Sequence, residues 1–97
     1  MPVEEIDEAV ARHYGIAVER LQAHGRSAGA AKAAAVALAC RLTGWTGRAI
    51  GAHYGGISSA AVSTIQRKVR DPGAEAAPAI ESLLASLSGR RQRRPKS

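Results

Sequence analysis

The sequence has no Phe and no Asn, one Cys (Cys40), one Trp (Trp45) and two Tyr among its 97 residues. A single cysteine excludes an intramolecular disulfide scaffold and fits a reducing, intracellular compartment. So few aromatics leave no base-stacking platform of the kind RNA-binding modules use, and no RNA-binding motif is present. The longest uninterrupted apolar run, Ala33 to Cys40, is far short of the roughly 20 residues a membrane span needs. The opening MPVEEIDEAV is acidic where a secretory signal is basic, so no membrane association is expected. The β-branched residues are scattered without alternation, which argues against a sheet. A chain of this length buries somewhat over ~60% of its unfolded surface, enough for one modest core.

The most telling absence is of acid. Residues 20–70 contain no Asp or Glu, yet hold Arg20, Arg26, Lys32, Arg41, Arg48, Arg67, Lys68 and Arg70. Residues 1–19 are acidic, residues 71–89 carry Asp71, Glu75 and Glu81 without a base, and the tail from Arg90 is basic. A face that only solvates a protein mixes both signs. A long positive stretch without an internal neutraliser suits a polyphosphate partner. Arginine carried by alanine-rich helices for solubility is the plainer alternative.

What is present reads as six helices. Val3 to Tyr14 carries Ile6, Ala9 and Val10 at helical spacing, with Glu4, Glu5, Asp7 and Glu8 in its first turns, where the helix dipole favours anions. Gly15 closes it as a left-handed cap. A short helix, Val18 to His24, precedes the basic loop Gly25-Arg26-Ser27. The third helix, about Ala28 to Thr43, has a narrow stripe of Ala35, Leu38, Ala39 and Leu42, and Gly44 stops it. Thr46 can cap a helix of about Gly47 to Tyr54, ended by Gly55-Gly56. Ser58 can cap the next, through about Arg70, with Ile57 and Val62 placed as a hydrophobic staple and Val62, Ile65 and Val69 as its buried stripe. After Pro72-Gly73, a sixth helix of about Ala77 to Ser88 carries Ile80, Leu83, Leu84 and Leu87. The segment 90–97, RRQRRPKS, has no apolar residue and is expected to be a disordered basic tail behind a domain of residues 1–89.

The fourth and fifth helices have the spacing of a DNA-binding helix-turn-helix. Ala52 is the small residue expected where the two helices cross, Gly56 lies in the turn, and Val62 and Ile65 anchor the second helix. The exposed residues at its start, Ser58, Ser59, Ala60 and Ala61, are small enough for close approach to base edges. Hydroxyls can donate or accept there, and alanine methyls can pack on thymine methyls.

The stretch from His13 to Val69 is similar to the C-terminal DNA-binding domain of the bacterial replication initiator DnaA. The landmarks are Ala37-Leu38-Ala39, Leu42-Thr43, Ile50-Gly51, Tyr54-Gly55-Gly56, Val62 and Arg67-Lys68. The resemblance covers roughly residues 3 to 87 and implies an all-α, Trp-repressor-like fold of about six helices with a central helix-turn-helix. The initiator has Asp-His-Thr-Thr where this chain has Ser58-Ser59-Ala60-Ala61. GGISSAAVS resembles more closely the DnaA-like tails of some single-tyrosine (HUH) transposases associated with REP elements. The resemblance therefore implies double-stranded DNA binding without carrying over the initiator's own box, in a transposase-associated or regulatory module. It places Ser58 to Ala61 on bases, with Ser63, Thr64, Arg67 and, on the same face, Lys68 at or beside the groove. Lys32 matches a basic DNA-contacting position. Arg26 lies near the family's minor-groove loop, for which His24 is the gapless match. Thr46, Gly47 and Arg48 open the first hairpin helix, where a phosphate can be held.

Plainer readings stand beside these. Arg67 and Lys68 form a solvated face, Arg41 complements its helix dipole, Ser58 caps as well as reads, and Trp45 plugs the core or stacks on a ribose. His13, His24, His53 and Cys40 lack metal-ligand spacing. No G-x-x-x-x-G-K-[ST] motif, nucleophilic triad, paired carboxylates or HUH histidine pair occurs, so neither a cofactor nor an enzymatic role is expected. The expected protein is a cytoplasmic, nucleoid-associated monomer, with a dimer as the other possibility. The competing function is a helical adaptor that docks a protein through Ile80 to Leu87.

Overall fold

The computed structural model describes residues 2–22, 29–71 and 73–92, with side chains through Leu87. All regular structure among them is α-helical: α1 (Val3–Tyr14), α2 (Val18–Gln22), α3 (Gly29–Leu42), α4 (Gly47–His53), α5 (Ser59–Val69) and α6 (Ala77–Gln92). The all-α architecture expected from the sequence is the one observed. No helix among the described residues is long and apolar enough to cross a membrane.

α1 buries Val3, Ile6, Val10 and Ala11 on one flank and keeps Glu4 and Glu5 in its first turn. It ends at Gly15, where the Ile16 N–H donates to the Ala11 carbonyl at 2.9 Å and the Gly15 N–H to that of Arg12 at 3.3 Å. These paired bonds satisfy carbonyls that the helix end leaves open.

α3 is the central post, packed against α1, α5, α6, α4 and α2. Ala31, Ala34, Ala35, Val36, Ala37, Leu38 and Ala39 are all buried. The narrow stripe expected from the sequence is thus too narrow, and Leu42 is only half-buried. A helix apolar around most of its circumference is covered around most of it, and alanine lets five neighbours approach one helix without large side chains holding them off.

α6 lays Ile80, Leu83 and Leu87 into the same core and packs on α3 and α1. It runs to Gln92, beyond the expected stop before Gly89. Arginine and glutamine are good helix formers, and one interior glycine costs only about 1 kcal/mol relative to alanine. The expected tail therefore begins as helix, and residues 93–97 lie outside the described part.

Candidate nucleic-acid interface

α4 and α5 pack together across a short turn, and the local chemistry of that turn is explicit. Thr46 caps α4, its Oγ1 accepting the Ala49 N–H at 3.1 Å. At the other end, Gly55 and Gly56 take positive φ of 92° and 79°, a region closed to most side-chain-bearing residues. This bends the chain back so that the Gly56 and Ile57 N–H groups both donate to the Gly51 carbonyl, at 2.9 and 3.0 Å. Gly51 is buried beneath that turn, and a Cβ there would run into the Ile57 carbonyl oxygen. The small residue at the crossing is therefore Gly51. Ala52, to which the sequence spacing assigned that place, is exposed: one residue along a helix rotates a side chain by about 100°.

Ser58 caps α5, its Oγ accepting the Ala61 N–H at 3.1 Å. The hydroxyl proton remains available for a further acceptor. Val62 and Val69 are buried and Ile65 is half-buried, so this side of α5 seats the helix on α3 and α4. The other side leaves Ser59, Ala60, Ser63, Thr64, Arg67 and Lys68 exposed, with Ala61 half-buried. The Thr64 hydroxyl donates to the Ala60 carbonyl at 3.0 Å, so toward a partner it can act only as an acceptor.

The entrance of α4 lies beside the start of α5: a Cβ on Gly47 would sit 3.5 Å from that of Ser59. Thr46 and Arg48, on either side of Gly47, are exposed. The structure thus brings Thr46, Arg48, Ser58, Ser59 and Ala60 into one neighbourhood, with Ser63, Thr64, Arg67 and Lys68 further along α5. Past Arg67 and Lys68 an open groove runs between Gly29 and Ala33 of α3 and the link that carries Asp71 and Glu75. Carboxylates bound the basic surface at that end.

Lys32 departs from its expected place. It is only 6% exposed, drawn into the packed half of α3, and burial pushes its ammonium below the ordinary lysine range. Its ammonium is therefore not among the exposed cations beside α5. Trp45 departs in the opposite sense: it is 42% exposed and does not plug the core. The core is closed without it by Tyr54, Ile50 and Leu38, all fully buried. Arg26, together with His24, lies outside the described residues.

The feature that residue-by-residue reading missed is Asp7. It is 1% exposed and accepts the Tyr54 hydroxyl on Oδ1 at 2.6 Å. On Oδ2 it meets His53 Nε2 at 2.7 Å and the Gln22 side-chain amide at 3.3 Å. Burial first, then the hydrogen bond and charge of Asp7, drive the Tyr54 phenol far above its usual range, so the phenol remains a donor. The node ties α1 and α2 to the end of α4 and thereby seats the α4–α5 pair on the rest of the domain. A signal for it exists in the sequence: position 7 falls on the same i, i+3, i+4 stripe as Val3, Val10 and Ala11. A carboxylate on an apolar stripe is buried and needs partners.

Among the described residues no group of three or more His, Cys, Asp or Glu is arranged to hold a metal ion. No protein-family model matches the chain, and no curated protein matches its sequence.

Proposed function

We propose that this chain is a double-stranded DNA-binding module rather than an enzyme, with α5 entering the major groove and the entrance of α4 resting on the flanking backbone. The observation that carries this reading is the division of α5. Its apolar side is locked into the domain, while its other side offers small polar groups at the start and cations at the end. Small residues admit base edges, and Ser58, Ser59 and Ser63 supply donors and acceptors to them. Arg48, Arg67 and Lys68 supply charge for phosphates, on a stretch without a single carboxylate.

The similarity to the DnaA DNA-binding domain and to the DnaA-like tails of transposases supports the same docking. It adds a transposase-associated or regulatory setting, with Arg26 as the minor-groove contact. Ile80, Leu83 and Leu87 are buried inside the domain and Leu84 is half-buried, which favours the duplex reading over the adaptor.

Selection of duplexes from a random pool, followed by titration across salt concentrations, tests the proposal. A selected duplex should bind about 10³-fold more tightly than random DNA. Six neutralised phosphates would give a log–log salt slope of about −5. Arg67→Ala should weaken the selected duplex more than random DNA if the guanidinium reads a base. If it grips phosphate, both should weaken alike and the slope should fall by about 1. Equal affinity for selected and random duplexes at physiological salt would overturn the reading.

A further inference from the structure

Trp45 is the only large apolar side chain that is exposed among the described residues, and the only Trp in the chain. Its setting is ordered. The Trp45 N–H donates to Thr43 Oγ1 at 3.1 Å, and that hydroxyl donates in turn to the Ala39 carbonyl at 2.6 Å. The indole meets the His53 ring edge-on, with centroids 5.8 Å apart and planes at 88°. His53 is itself fixed to buried Asp7 at 2.7 Å. A series of contacts running back to the core thus holds an apolar plate open to water, where burial of the same plate would be favourable.

The backbone of Trp45 stands at the entrance of α4, where that helix comes beside the start of α5. Trp45 immediately precedes Thr46, the cap of α4, and exposed Arg48 follows one turn later; Gly47 between them lies against Ser59 at the start of α5. When a helix-turn-helix docks, its first helix crosses the sugar–phosphate backbone. A deoxyribose presents an uncharged, largely apolar face there, and its neighbouring phosphates present acceptors for an indole N–H. We infer that Trp45 is a DNA-backbone contact: its indole packs on a deoxyribose of the strand bordering the groove that α5 reads, while Thr46 and Arg48 take the adjoining phosphate. This inference rests on the duplex-binding reading above. It adds a contact that carries no sequence information and no charge.

The test uses the full chain, a duplex obtained by selection and a random duplex of equal length. Because Trp45 is the sole tryptophan, its emission reports this position alone. Saturation with either duplex should quench or shift that emission. Trp45→Ala should weaken both duplexes by the same factor, about five- to tenfold, with the salt slope unchanged because no charge is lost. Trp45→Phe should recover most of the affinity. Circular dichroism of both variants checks the fold; if Trp45→Ala misfolds, the emission of the wild-type chain and the affinity of Trp45→Phe decide.

If the duplexes bind but the emission stays unmoved and Trp45→Ala keeps full affinity, the backbone contact is overturned and the groove reading stands. If the wild-type chain binds neither duplex, both fall. If sedimentation shows a dimer that Trp45→Ala dissolves, the indole serves a second copy of the chain and the inference is overturned.

Discussion

α4 is gripped from two sides by opposite kinds of contact. Toward the turn that leads into α5 the closest contact is backbone against backbone, with Gly51 pressed under the Ile57 carbonyl. Toward α1 it is a polar node of side chains, with Tyr54 and His53 on the buried carboxyl of Asp7. The first contact sets how closely the two helices of the hairpin approach, and so the angle at which α5 is presented. The second sets how the hairpin sits on the domain. One depends on the absence of a side chain, the other on a full set of hydrogen bonds. Mutation can therefore separate the shape of the hairpin from its seating.

The largest effect belongs to the backbone contact. Gly51→Val forces branched carbon into the turn, and urea unfolding should show a loss of about 4 kcal/mol. A loss below 1 kcal/mol would mean that the hairpin yields and that the contact sets no angle. Asp7→Ala strands the buried Tyr54 hydroxyl and should cost about 3 kcal/mol. Asp7→Asn, which still accepts from Tyr54, should cost clearly less. Both Asp7 variants also loosen the His53 ring against which Trp45 rests, so duplex affinity of the folded fraction should fall by no more than the roughly five- to tenfold expected for loss of Trp45 itself. A larger fall would show that seating and presentation are coupled.

The node also has a signature at alkaline pH. The folded state holds the Tyr54 proton above the ordinary phenol range, so it binds more protons there than the unfolded chain. Stability from this source is complete below about pH 10 and is lost above it, by up to about 1.4 kcal/mol per pH unit. Tyr14, raised by burial and by Glu75, acts in the same direction. Tyr54→Phe should remove only the Tyr54 part of the slope, measured by denaturation at successive pH values against wild type. An unchanged slope would remove Tyr54 from the account. The smallest effect is at the start of α5: Ser58→Ala deletes its cap and should cost about 1 kcal/mol, and Ser58→Gly only a few tenths. If Ser58→Gly also abolishes discrimination between selected and random duplexes, Ser58 reads a base as well as capping.

Features that depend on neighbours in sequence were legible beforehand. Thr46 and Ser58 as caps, Gly15 and Gly55-Gly56 as ends, and Val62 and Val69 as the seat of α5 follow from one or two turns of chain, and each is observed. The candidate surface was legible in part. Ser59, Ala60, Ser63, Thr64, Arg67 and Lys68 are exposed as their spacing predicts, because α5 has one packed side. Lys32 is buried and Trp45 exposed, contrary to their expected outward and core positions, because α3 is packed against five helices while Trp45 lies in the loop before α4. The crossing residue moved from Ala52 to Gly51 because only the actual path of the turn tells which side of α4 it covers.

The sequence alone determined the helical class, the caps at Gly15, Thr46, Gly55-Gly56 and Ser58, and the confinement of acid to the stretches outside residues 20–70. These are set by local hydrogen bonding, side-chain period and composition. Tertiary structure alone decided that Asp7 would meet partners 46 and 47 residues away, that a lysine would be drawn inward, and that an indole would be left in water. Those outcomes depend on which surfaces come together, and packing between distant segments is a property of the whole chain that no short window contains.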